Sequence, residues 1–242
     1  MNQHYEKYTD NDQEIWNLLF SRQFENLKDK ASADYLAALE KMAPVLNVKA
    51  IPNFKDIDAW FESETQWTIA CVPGLIPVED FFELLSKKQF CSSTWLRSMK
   101  NLDYLEEPDM FHDIFGHVPL LSNPVFSKFL HEFGKLGVAV KDDAEKLVQL
   151  QRLYWFTIEF GLIKESTAKI YGAGIASSFG ETNLSVGPTV ATSPFDLETI
   201  LNQPFETDHV QNHYFVIDSY EQLFDAIVFL KKEWNDSKAI AC

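Results

Sequence analysis

EEPDMFHDIFGHVPLL, residues Glu106 to Leu121, is the stretch on which the rest of the chain turns. It places His112 and His117 five residues apart among Met110, Phe111, Ile114, Phe115 and Val118. Neutral imidazole is the commonest side-chain metal ligand near neutral pH, and a pair embedded in apolar neighbours is desolvated and rigid. On a regular α-helix, positions five apart point about 140° away from each other, so both rings reach one ion only where the backbone departs from that geometry. Gly116 and Pro119 mark the place. The spacing predicts a helix that starts just after Pro108 and is perturbed or ended around Gly116.

Two histidines leave an ion under-coordinated, and the best third candidate is Glu159 in YWFTIEFGL, residues Tyr154 to Leu162. A lone carboxylate between Ile158 and Phe160 is costly to bury, and a cation offsets that cost. Two histidines and one carboxylate, with other positions open, form the facial arrangement of non-haem Fe(II) oxygenases. Residue types alone leave zinc as competitive as iron, and also leave a satisfied core histidine pair with an ion-paired glutamate. The zinc-protease pattern H-E-x-x-H is missing, because Asp113 follows His112.

The chain has 242 residues, 46% of them hydrophobic and 20 of them Phe, enough to fill a sizeable core in one domain. A net charge of −15 argues against a nucleic-acid partner or an anionic membrane surface. The N-terminal MNQHYEKYTDNDQE lacks the basic and apolar regions of a signal peptide, and no apolar run approaches the roughly 18 residues of a membrane span. A cytoplasmic location is expected. Cys71, Cys91 and Cys242 show no metal-ligand spacing and read as reduced thiols.

Periodicity predicts an amphipathic helix over Asn11 to Lys30, a second capped by Ser32 and ending near Pro44, and a third over Lys55 to Ser63. Trp67 to Cys71 reads as a short strand, VPGLIP as a turn, Val78 to Lys88 as a helix, and Phe90 to Trp95 as extended chain. Asn123-Pro124 opens a helix to about Gly137. Asp142 is expected to cap a long helix to Leu162, with Trp155, Glu159 and Leu162 on one face. YGAGIASSFGE, residues Tyr171 to Glu181, reads as a strand-and-turn element lying close to another segment. A helix over Phe195 to Asn202, a strand over Tyr214 to Ile217 and a closing helix over Tyr220 to Trp234 complete a mainly α chain with a few short strands (α+β).

The three quoted blocks, in this order and spacing, resemble the catalytic domain of the pterin-dependent aromatic amino acid hydroxylases, and the resemblance spans about Trp67 to Phe229. It implies a monooxygenase that uses Fe(II), O2 and a tetrahydropterin to hydroxylate L-phenylalanine to L-tyrosine. His112, His117 and Glu159 match the family's iron ligands. Arg97 matches the arginine that grips the substrate's carboxylate, and Asp109 the acid that holds this arginine; read without the resemblance, the two make an ordinary surface ion pair. Ser178 matches a substrate-side position, and Trp155 and Phe160 match the wall of the ring pocket, with plain core packing as the rival reading. Gly74, Leu75, Ile76 and the stacking residue Phe81 match the pterin site, although Phe81 also fits a core position of its helix. Glu107 and Glu181 match acids near the metal and the pocket.

Two departures qualify the match. Leu105 and Glu106 stand where the family has Thr-Pro, which bears on substrate preference. Asp113 replaces a glutamate and is one methylene shorter for a water-mediated contact to the pterin. The family's regulatory domain and tetramerisation helix have no counterpart here, so a monomer is expected. Rival readings are the same chemistry on tryptophan, a non-catalytic aromatic-amino-acid binding protein, and a zinc hydrolase on the same ligands.

Overall fold

The computed structural model describes residues 1–102, 107–207 and 209–240; Leu105, Glu106 and Cys242 lie outside the described residues. The fold is mainly helical, and its order follows from local chemistry. Thr9 begins α1 (Asp10–Leu27) with a capping box: its hydroxyl accepts from the Asp12 amide while the Asp12 carboxylate accepts from the Thr9 amide. Ile15, Trp16, Leu19, Phe20 and Leu27 form the buried stripe of this helix. Ser32 caps α2 (Ala33–Met42), and Asn53 caps α3 (Phe54–Glu62). Strand β1 (Thr68–Cys71) and β2 (Gln89–Ser92) pair in parallel, with α4 (Val78–Ser86) as the crossover between them.

The histidine stretch departs from α geometry as the spacing requires. His112–His117 is a π-turn, in which hydrogen bonds span five residues and positions five apart come onto one side. Its cause lies partly in Gly116: a Cβ there would stand 2.8 Å from the Ala173 carbonyl oxygen, so only glycine admits that contact. Tyr35 pins the same turn from α2 by donating to the Phe115 carbonyl at 2.5 Å. Asn123 then caps α5 (Pro124–Ala139), with Pro124 in the first turn.

The chain differs from expectation at three places. Asp143, in place of Asp142, caps α6 (Ala144–Tyr154); its carboxylate accepts from the Lys146 amide at 3.2 Å. The helix does not run on to Leu162. It widens into a second π-turn, Trp155–Glu159, and Leu162 opens strand β3 (Leu162–Lys164), so Leu162 does not share a helical face with Trp155 and Glu159. Gly161, just beyond the turn, stands where only glycine fits, since a Cβ there would lie 2.2 Å from the Thr157 carbonyl oxygen and 2.3 Å from the Tyr171 hydroxyl. YGAGIASSFGE is not strand and turn. After strand β4 (Ala168–Ile170) it forms two short helices, α7 (Ala173–Ala176) and α8 (Phe179–Ser185), the latter capped by Ser178. Its expected closeness to another segment is present: a Cβ at Gly172 would meet the Glu159 carbonyl oxygen at 2.5 Å.

Strand β5 (Ala191–Pro194), α9 (Leu197–Asn202), strand β6 (His213–Ile217) and α10 (Tyr220–Ile240) complete the chain. The four-stranded sheet has the order β4-β3-β6-β5, antiparallel only between β3 and β4. Trp16, Tyr35, Trp67, Phe115, Phe129 and Phe133 anchor a continuous core beneath both π-turns. No helix of the described residues is long and apolar enough to cross a membrane.

Helix α4 packs tightly on α5. A Cβ on Gly134 would lie 2.5 Å from the Ser86 nitrogen and 2.6 Å from the Leu85 carbonyl carbon, both backbone atoms that cannot step aside. Gly134→Ala is expected to cost about 1–3 kcal/mol. Urea denaturation checks this, and an unchanged midpoint would refute the account.

Candidate functional site

The two π-turns face each other. His112 and His117 Nε2 lie 3.1 Å apart; Glu159 Oε1 stands 3.0 Å from His117 Nε2, and Oε2 stands 3.7 Å from His112 Nε2. Nowhere else among the described residues do three His, Cys, Asp or Glu side chains gather closely enough to hold an ion. The tautomer of His112 follows from its neighbour. The Ser177 hydroxyl gives its one proton to the Ala173 carbonyl at 2.8 Å, so towards His112 Nδ1, 2.9 Å away, it can only accept. His112 therefore carries its proton on Nδ1 and turns a free Nε2 lone pair inward.

The three groups also set one another's charge. Burial alone would raise the Glu159 carboxyl, but His117 and His112 beside it hold it well below the usual carboxylate range. Burial lowers His117, whereas on His112 the pull of Glu159, Asp113 and Asp109 outweighs burial and raises it. A carboxylate and two inward lone pairs at this distance repel one another unless positive charge sits among them, so the donor set fits a divalent cation. Phe90 and Tyr154 flank the His117 ring with centroids at 4.8 and 6.1 Å and fix its plane.

The cluster opens into a cavity of about 600 Å³, the size of a small-ligand pocket. Of the sequence-predicted residues, Arg97, Asp113, Trp155, Phe160, Ser178, Gly74, Leu75, Ile76 and Phe81 line it, as do Glu107 and Glu181. Asp109 does not line the cavity. It lies fully buried behind Arg97, where Oδ2 accepts from Arg97 Nε at 2.9 Å and Oδ1 from Nη2 at 2.8 Å, and the amides of Arg97 and His112 also donate to it. This is a buried bidentate pair, not the surface ion pair of the alternative reading. Arg97 Nη1 donates to the Leu102 carbonyl at 3.2 Å.

Burial lifts the Asp113 carboxyl to about 7, against the pull of His112 and of the Ser93 amide that donates to it. Burial also pushes the Cys91 thiol to about 12, so this cavity-lining cysteine is a neutral thiol and no nucleophile. Trp155 packs on Phe205 and Phe160, with ring centroids at 4.7 and 4.6 Å.

Sequence reasoning missed Ser177, Tyr154, Phe205 and Gln211. Ser177 adjoins the predicted Ser178, and only the turn of α7 decides which hydroxyl meets His112. Gln211 is far from every motif, and no spacing points to it.

Comparison with known proteins completes the picture. The family model described as biopterin-dependent aromatic amino acid hydroxylase matches residues 4–235. The phenylalanine-4-hydroxylase of Chromobacterium violaceum is 43% identical over 226 residues, covering 91% of this chain and 74% of that protein. The phenylalanine-4-hydroxylase of Pseudomonas aeruginosa is 41% identical over 218 residues, covering 90% and 82%. The crystal structure of the Chromobacterium violaceum enzyme with bound oxidised Fe(III) superposes with a TM-score of 0.90 at 42% identity, covering 94% of this chain and 82% of that one. A structure of that enzyme with iron(III) and 7,8-dihydrobiopterin gives 0.89 at 40% identity, covering 96% and 86%. With residues 4–235 matched and relatives above 40% identity over nine-tenths of its length, the chain belongs to the biopterin-dependent aromatic amino acid hydroxylases.

Proposed function

We propose that the protein is a Fe(II)- and tetrahydropterin-dependent monooxygenase that hydroxylates the ring of L-phenylalanine with O2 to give L-tyrosine. The observation that carries the reading is the convergence of His112, His117 and Glu159 in the wall of a ligand-sized cavity. Its relatives named phenylalanine-4-hydroxylase support the substrate, and the iron and dihydrobiopterin bound in the Chromobacterium violaceum enzyme support the cofactors.

In this reading the two Nε2 atoms and the Glu159 carboxylate hold the iron from one side and leave its other positions for reactants. Bound iron and tetrahydropterin supply the activation of O2 and its delivery to the ring. The chain's own residues bind, orient and exclude water. Arg97 spends three of its five N–H donors on Asp109 and Leu102 and keeps the rest for the amino acid's carboxylate. Trp155 and Phe160 form the wall against which the substrate ring packs, and Ser178 lines the same side. Gly74, Leu75 and Ile76 bring backbone and apolar surface to the pterin, Phe81 stacks on it, and Asp113 reaches it through water. The protein is placed in the cytoplasm as a monomer, and sedimentation tests the monomer.

The experiment is O2 consumption by the Fe(II)-loaded protein, with and without tetrahydropterin, on each aromatic amino acid with products separated. Pterin-dependent tyrosine from phenylalanine is expected. 5-Hydroxytryptophan as the main product would overturn the substrate, and no product from iron-replete protein would overturn the activity.

Ser177 fixes the tautomer of one proposed ligand. Ser177→Ala is accordingly expected to weaken Fe(II) binding about 10–100-fold, read by competition with a chelator. Unchanged affinity would show that His112 needs no such partner.

A further inference from the structure

The indole of Trp155 lies in the cavity wall, and its N–H needs an acceptor wherever it is turned away from water. Gln211 provides that acceptor: Trp155 Nε1 donates to Gln211 Oε1 at 3.1 Å. Further bonds hold Gln211 itself. Its backbone amide donates to Glu181 Oε1 at 3.0 Å, and its side-chain nitrogen donates to the carbonyls of Glu206 and His209 at 3.2 and 3.0 Å. Glu181 is itself held, because Tyr214 of β6 donates to the same Oε1 at 2.7 Å in a buried setting. On the other side, the Trp155 ring lies nearly parallel to Phe205, with an interplanar angle of 19°.

The geometry points to Gln211 as a positioning residue for the hydroxylation: through its bond to the indole N–H it fixes the rotamer of Trp155 and so the width of the slot that receives the substrate ring. The inference rests on the function proposed above. Glu181 and Tyr214 anchor Gln211 to the sheet, so the position of the wall is set by rigid structure and not by the substrate. With the bond lost, the indole turns in search of an acceptor, the slot loosens, and the ring no longer sits in register with the metal. The substrate then binds less well, and pterin is oxidised without a matching yield of hydroxylated product.

The first readout needs no iron and no turnover. In ¹H–¹⁵N spectra of the iron-free protein, the indole resonance of Trp155, identified among the six tryptophans by its loss in Trp155→Phe, is expected to move upfield in Gln211→Leu while the others stay. A resonance that does not move would overturn the inference. The second is kinetic. Gln211→Leu is expected to raise KM for phenylalanine about tenfold with a smaller change in kcat, to lower the tyrosine formed per pterin oxidised, and to leave iron content unchanged. In the Trp155→Phe background the same substitution is expected to change KM less than about twofold, because the donor is already gone. Additive effects in the two backgrounds would overturn the inference in favour of a merely structural role. Should Gln211→Leu fail to fold, Trp155→Phe tests the link from the other side: it deletes the donor and keeps a ring, and an unchanged KM and product yield would refute it. Failure of the wild-type protein to form tyrosine would refute the proposed function alone, since the indole spectrum reads the bond independently.

Discussion

Replacing Glu159 by alanine is expected to give a folded protein that neither retains Fe(II) nor forms tyrosine, with turnover at about one-thousandth of wild type or less. The carboxylate is the only anionic member of the trio, and it supplies the charge that draws a cation between two imidazoles 3.1 Å apart. A metal centre contributes several kcal/mol to a transition state, and each 1.4 kcal/mol is about a factor of ten. Folding should survive, because Glu159 ends its turn at the cavity wall while Phe156 and Ile158 carry the packing of that turn. The two effects separate in a thermal melt. Fe(II) at about a hundred times its dissociation constant stabilises a binding-competent protein by about 2.7 kcal/mol, so wild type should melt higher with iron than without it. Glu159→Ala should show no such rise. Near-normal turnover in this variant, or in His117→Ala, would remove the basis for the metal site.

The second large effect is expected at Asp109, on stability as well as on catalysis. Four N–H groups converge on this fully buried carboxylate: three from Arg97 and one from the backbone of His112. Asp109→Ala leaves the guanidinium buried without its counter-charge and should cost about 3–5 kcal/mol in urea denaturation. The double variant Arg97→Ala/Asp109→Ala removes the stranded charge and should recover part of that loss. It should not recover activity, because the group proposed to hold the substrate's carboxylate is gone. A single variant within about 1 kcal/mol of wild type would show that the pair is dispensable to the fold.

Much of this was legible in the residues. Ser32 and Asn123 announce their helices because a cap is a local hydrogen bond between neighbours in sequence. The five-residue spacing of the histidines demanded a break in α geometry near Gly116, and the π-turn is that break. Adjacent aspartates hid the choice between Asp142 and Asp143, since either residue type can cap. The end of the second ligand helix was hidden for a different reason. Tyr154 to Leu162 contains no proline to end a helix, and only the folded chain shows Gly161 closed in by the Tyr171 hydroxyl and the turn backbone. Likewise the glycines and serines of Tyr171 to Glu181 argue against helix by propensity, yet packing against the Glu159 backbone and a cap from Ser178 make two short helices. Ser177 and Gln211 act only through tertiary contacts, so nothing in the linear order marks them.

The π-turn at His112–His117 has a consequence for how this protein tolerates deletion. Such a turn holds one residue more than an α-helix would use. Removing a single residue between the two histidines would let the segment relax into ordinary α geometry and leave them four apart, about 40° around the axis and still on one side. An insertion is the harsher change: with the histidines six apart, α geometry would set them about 120° from each other and part the pair.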